Sequence, residues 1–135
     1  MNGATLDACV LIAALDDTNA DHTRAVDALD TLIGTEMWVH PINLAEVLVP
    51  YAARSRADDR AEDITRRLRT MGVGVHDQAD ASHAIDLACV RRELGIKMPD
   101  ACAVVTAWET MTPLLTFDAR LAAAVRRSTL PVSLH

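Results

Sequence analysis

Short apolar runs alternate with stretches whose apolar residues recur at three- and four-residue spacing, and the alternation persists along the whole chain. Ala4 to Leu6 reads as a buried strand that leads through Asp7 into an apolar helix over Val10 to Leu15. A second helix, His22 to Ile33, follows an Asp- and Asn-rich turn, and Met37 to Val39 reads as the next strand. Past Pro41, Leu44, Val47, Leu48 and Tyr51 fall at i, i+3, i+4 and i+7, a helix that Asn43 can cap and that Pro50 must kink or end. Ala61 to Met71 is amphipathic through Ile64, Leu68 and Met71, and Val73 to His76 reads as a strand between glycine-rich turns. Ala81 to Leu94 is a helix stopped by Gly95, and Pro99 opens another over Asp100 to Glu109. Pro113 to Thr116 is a strand, Ala119 to Arg127 a helix, and Val132 to Leu134 an edge strand. Strands separated by helices predict an α/β fold in which a parallel sheet is covered on both faces.

At 135 residues, half of them apolar, the chain fits one domain spanning 1–135 and is too short for two ordinary ones. Aromatics make up only 3%, so the core must be aliphatic, as in helices packed on a parallel sheet. Cys9, Cys89 and Cys102 form no CxxC pair, which supports neither a disulfide framework nor a zinc site and fits reduced thiols in a cytoplasmic protein. The run Cys9 to Leu15 is too short to cross a bilayer, so no membrane association is expected.

The net charge of −6 by itself argues against a nucleic-acid partner. Its distribution changes that picture. Residues 1–50 carry eight acids against Arg24 alone, whereas 51–70 carry Arg54, Arg56, Arg60, Arg66, Arg67 and Arg69 against four acids. One local surface can therefore be positive, with arginines suited to grip phosphate, although the ordinary reading of most of these arginines is a solvated helix face.

Three segments place an acid at or just beyond the carboxyl end of a strand and before or within a helix: Asp7, Glu46 and Asp118. In open parallel sheets such strand ends line one crevice where ligands bind. Asp100 joins them if Lys97-Met98-Pro99 delivers its helix to the same rim. Taken singly, each acid has an ordinary explanation at a helix N-terminus, and Asn43 with Glu46 has capping-box spacing. Together they would repel unless a cation sat among them, and all-oxygen ligands select Mg²⁺ or Mn²⁺.

The segments Leu6 to Ile12, Asn43 to Leu48, Met98 to Ala107 and Leu114 to Leu121 resemble, in order and spacing, the four acidic motifs of PIN domains. In total length the chain is similar to VapC-type toxins of bacterial toxin–antitoxin pairs. The resemblance implies a three-layer α/β/α fold with a central, mostly parallel sheet, divalent-metal-dependent endoribonuclease activity on RNA, homodimerisation, and inhibition by a VapB-type antitoxin. It also implies that Asp7, Glu46, Asp100 and Asp118 are the catalytic acids, with Asp7, Asp100 and Asp118 on the Mg²⁺ or Mn²⁺ ion. Thr116 and Asn43 would support substrate or ligands. Ala8 and Cys9 depart from the polar residues that many relatives carry after the first Asp.

Two other readings compete. Phosphotransfer through an aspartyl phosphate would want a second acid near Asp7, where Ala8 and Cys9 stand. A catalytically inactive PIN-like binding or scaffold module would keep the acids as helix caps. His22, His40, His76, His83 and His135 show no ligand spacing and are expected in surface or packing roles. Cys9 and Cys102 are expected to behave as small buried hydrophobes. With so few aromatics, RNA recognition would rest on backbone and shape rather than extensive base stacking.

Overall fold

A computed structural model describes residues 3–53 and 60–135; Arg54 and Arg56 of the basic segment lie outside the described residues. Strands β1 (Ala4–Leu6), β2 (Met37–Val39), β3 (Val73–Val75) and β4 (Leu114–Leu115) form one parallel sheet in the order β3-β2-β1-β4. Helices α1 (Ala8–Leu15) and α2 (His22–Leu32) follow β1, α3 (Pro41–Leu48) and α4 (Arg60–Thr70) follow β2, and α5 (Ala81–Leu94) and α6 (Met98–Thr110) follow β3. Helix α7 (Ala119–Arg127) follows β4.

The period-two alternation of the strands sorts the core into two halves. Ala4, Leu6, Met37, Val39 and Leu115 pack with α1 to α4, whereas Leu114 packs with Val90 of α5, Val104 and Val105 of α6, and Leu121 and Val125 of α7. Helices therefore cover both faces of the sheet, the three-layer α/β/α arrangement. On the α6 side the strands present bulkier or polar residues. Thr5 bonds Thr112 at 2.8 Å, and the Trp38 ring lies so close to Gly74 that a Cβ there would come within 3.0 Å of it. Gly3 is equally constrained: φ is +114° and a Cβ would overlap the Glu36 carbonyl, which accepts the Ala4 N–H at 2.9 Å.

Several boundaries differ from the sequence reading. Helix α1 begins at Ala8, with Asp7 as its cap. Helix α3 begins at Pro41, not after Asn43, because proline at the first helical position fixes φ for the turn. His40 is the cap, its Nδ1 accepting the Ile42 N–H at 3.0 Å, so Asn43 and Glu46 do not form a capping box. Helix α6 likewise starts one residue before Pro99. Gly95 closes α5 in the left-handed region at φ 65°, as its position predicts. Near the C-terminus the expected edge strand is reduced to one parallel bridge between Leu114 and Leu134. The 3₁₀ turn Val49–Tyr51 carries Pro50 and ends the α3 segment.

Candidate functional site

Asp7 leaves the end of β1 with its N–H still in the ladder, bonded to the Leu115 carbonyl at 3.0 Å. Its carboxylate is buried and divided in use. Oδ1 caps α1 through Ala8 N–H at 2.8 Å, while Oδ2 accepts Thr116 Oγ1 at 2.7 Å and Cys9 Sγ at 3.4 Å. Thr116 Oγ1 in turn accepts the Asp118 N–H at 3.0 Å. That hydroxyl thus ties the end of β1 to the end of β4. Asp118 caps α7, with Oδ1 accepting from Arg120 N–H at 2.9 Å and Leu121 N–H at 3.2 Å, which leaves Oδ2 outside the cap.

Glu46 projects from α3 and Asp100 from the first turn of α6. The two helices are tied by Asn43, whose buried Nδ2 donates to the Pro99 carbonyl at 3.0 Å. Its Oδ1 is buried without a hydrogen-bond partner. Partial burial raises the pKa of Glu46, and the charges of Asp7 and Asp100 raise it further. Asp100 is raised by burial, then by Asp7 and Asp118, against the opposing charge and backbone N–H of Lys97. The structure therefore places Asp7 and Asp100 within electrostatic reach of Glu46, and Asp7 and Asp118 within reach of Asp100. Carboxylates this close form a set of oxygen donors that a hard divalent cation fits, because binding it removes their repulsion.

The thiols at this edge are poor nucleophiles. Burial, with the Asp7 charge, pushes Cys9 up to about 11; burial, with Glu46, does the same for Cys102. Cys102 is fully buried and Cys9 half-buried, while Cys89 is exposed. Phe117, beside Asp118, is half-buried under the guanidinium of Arg24, 4.1 Å from the ring centroid.

Three of the five histidines are buried in packing roles, as expected, but they gather in space as their linear spacing does not show. Among the described residues the tightest group of potential metal ligands is not the acids but His76, His83 and Glu109, whose donor atoms all lie within 4.8 Å of one another. His40 joins them through His83 at 3.0 Å. Linear spacing could not show this, since the four residues come from four different segments. One signal was present: His40 and His76 each directly follow an apolar strand, and adjacent parallel strands bring such residues to the same edge.

No curated protein sequence matches the chain. Solved structures do. A toxin–antitoxin complex from Klebsiella pneumoniae matches with a TM-score of 0.70 at 20% identity, covering 98% of this chain and 100% of that one. VapBC2 from Rickettsia felis, bound to a promoter DNA fragment, matches at 0.66 and 14% identity over 98% and 96%. FitAcB from Neisseria gonorrhoeae matches at 0.65 and 19% identity over 97% and 95%. The sequence itself fits the PIN domain model over residues 4–126, a span that contains all four acids. The chain belongs to the PIN domain family.

Proposed function

We propose that the chain is a Mg²⁺- or Mn²⁺-dependent endoribonuclease and the toxin of a VapBC-type pair. The observation that carries this reading is that Asp7, Glu46, Asp100 and Asp118, arriving from four different elements, are linked in one set in which Asp100 feels Asp7 and Asp118, and Glu46 feels Asp7 and Asp100. Family membership and fold neighbours that include toxin–antitoxin complexes support it.

Asp7, Asp100 and Asp118 would hold the ion, which when bound supplies an acidified water and neutralises charge on the scissile phosphate. The protein's own residues do the positioning. Thr116 and Cys9 donate to Asp7 Oδ2 and fix the carboxylate's rotation. Glu46, whose pKa burial and then the charges of Asp7 and Asp100 raise, is a stronger base for that reason and can accept a proton from a water near the phosphate. Asn43 keeps α3 and α6 in register so that Glu46 and Asp100 face the same space. The substrate is RNA and the reaction phosphodiester hydrolysis.

The partners are a VapB-type antitoxin and a second copy of the chain in a cytoplasmic homodimer. Among the described residues no helix is long and apolar enough to cross a membrane. A cleft of about 210 Å³ at the carboxyl-terminal ends of α1 and α3, lined by Ile12, Leu15, Val47, Pro50 and Tyr51 together with Asp16 and Asp17, offers a seat for an antitoxin tail. The deciding experiment incubates the protein with total RNA, with and without Mn²⁺, and maps the cut ends. Metal-dependent cuts that Asp7→Asn abolishes are expected; equal cleavage by that variant would overturn the mechanism, and no cleavage at all would favour the inactive binding module.

A further inference from the structure

A second cluster sits where β2, β3, α5 and α6 meet. His76 directly follows β3, with its N–H still bonded to Val39 O at 2.9 Å. His83 is locked in the first turn of α5, its N–H held by the capping Asp80 at 2.9 Å. Glu109 lies near the end of α6, its carboxylate between the two imidazoles: Oε2 is 2.5 Å from His76 Nε2 and Oε1 is 2.9 Å from His83 Nδ1. The side chains of His76 and His83 are 8% and 7% exposed, and that of Glu109 is 22% exposed, so solvent reaches the group through the carboxylate.

We propose that His76 Nε2, His83 Nδ1 and the Glu109 carboxylate form a binding site for a transition metal of the Zn²⁺ or Co²⁺ kind, separate from the four-carboxylate site. Two imidazoles and one carboxylate with an open side make a set that borderline ions prefer, whereas the all-oxygen acid site suits Mg²⁺ or Mn²⁺. At metal–ligand distances of about 2.1 Å, tetrahedral ligands stand about 3.4 Å apart. The two carboxylate–imidazole contacts need to open by about 1 Å or less, and the two imidazole nitrogens, within 4.8 Å of each other, to close by up to about 1.4 Å, shifts that side-chain rotation can supply. The two sites do not share ligands. Asp100 and Glu109 are nine residues apart on α6, about 13 Å along the axis and on opposite faces of the helix.

His40 Nδ1 accepts the Ile42 N–H, so a neutral His40 carries its proton on Nε2 and donates it to His83 Nε2. His83 then carries its own proton on Nδ1 and donates to Glu109. Metal on His83 Nδ1 moves that proton to Nε2, where it meets the His40 proton. His40 therefore opposes metal binding, and His40→Asn, which keeps a side-chain acceptor for Ile42 N–H, relieves the conflict.

The test is a Co²⁺ titration of the full chain in excess Mg²⁺, read by visible absorption and by quenching of Trp38, whose ring packs edge-on against His76 at 6.3 Å between centroids. One equivalent is expected in the wild type and in Asp118→Asn, with at least tenfold weaker binding in His76→Gln and in Glu109→Gln, and several-fold tighter binding in His40→Asn. Absence of Co²⁺ binding by the wild type, which needs no variant to fold, would overturn the site. So would binding that Asp118→Asn removes while His76→Gln keeps it, because the ion would then occupy the acids. Weaker binding in His40→Asn would overturn the assignment of ligand atoms.

Discussion

Asp118 serves two physical purposes that one substitution can separate. Its Oδ1 holds two N–H groups of α7, and its charge is one of those that push Asp100 up. Asp118→Asn keeps an acceptor for the cap and removes the charge. In chelator, its stability should equal or slightly exceed the wild type, because one crowded charge is gone, while RNA cleavage with Mn²⁺ should fall by about a hundredfold or more. Asp118→Ala should lose the cleavage and also about 1 kcal/mol of stability, the usual worth of a helix cap. Urea unfolding in chelator beside a cleavage assay checks both; equal destabilisation by Asn and Ala would mean that the cap and not the charge dominates. The residue types at this edge were legible from sequence, since acids next to short apolar runs stand out. What Asp7 bonds was not, because Thr116 reaches it only through the pairing of β1 with β4, across more than a hundred residues, and Cys9, two residues away, is turned onto it by the first turn of α1.

Element boundaries were legible wherever local chemistry decides them and misread where two local signals competed. Gly95 ended α5 as expected because only the left-handed conformation was needed there. At α3 both Asn43 and Pro41 were eligible, and proline's fixed φ set the start, which placed His40 at the cap and buried Asn43 against α6. That outcome makes α3 pH-sensitive. Burial, and the charges of His83 and His76, push His40 down to about 4, against the charge of Glu109. The folded protein thus holds His40 neutral over a range in which the unfolded chain, near 6.5, takes up a proton. Unfolded molecules bind more protons between those values, so this contribution is complete above about pH 6.5 and is lost as pH falls toward 4. Burial also works against ionised Glu109, but hydrogen bonds from His76 and His83 outweigh it and lower its pKa, and Glu46 and Asp100 shift the other way, so the raw pH curve mixes signs. The clean measurement is the stability difference between wild type and His40→Asn in chelator across pH 4 to 7. A difference that stays flat would mean that His40 is not held neutral.

At the scale of the whole molecule, charge separates what sequence could show from what it could not. The acidic balance and the arginine-rich segment were visible as numbers, but the convergence of acids from β1, α3, α6 and β4's exit depends on the strand order β3-β2-β1-β4, which no local pattern encodes. That convergence shapes the expected mode of regulation. A crowded carboxylate set on a chain of net charge −6 attracts a guanidinium through charge-assisted, bidentate hydrogen bonds. The cleft at the ends of α1 and α3 includes Val47, the residue next to Glu46, and is lined by Asp16 and Asp17 as well as by apolar side chains, so a tail seated there can extend an arginine along α3 toward the acids. Arginine and divalent metal would then compete for the same oxygens. Titrating an antitoxin tail peptide into the chain at rising Mn²⁺ should show affinity falling as metal increases, and Asp118→Asn should weaken the peptide several-fold. Replacing the peptide's arginine by glutamine should remove the metal dependence while leaving the apolar contribution. Affinity that ignores both Mn²⁺ and Asp118→Asn would place the tail away from the acids, and inhibition would then act by covering the path of the RNA.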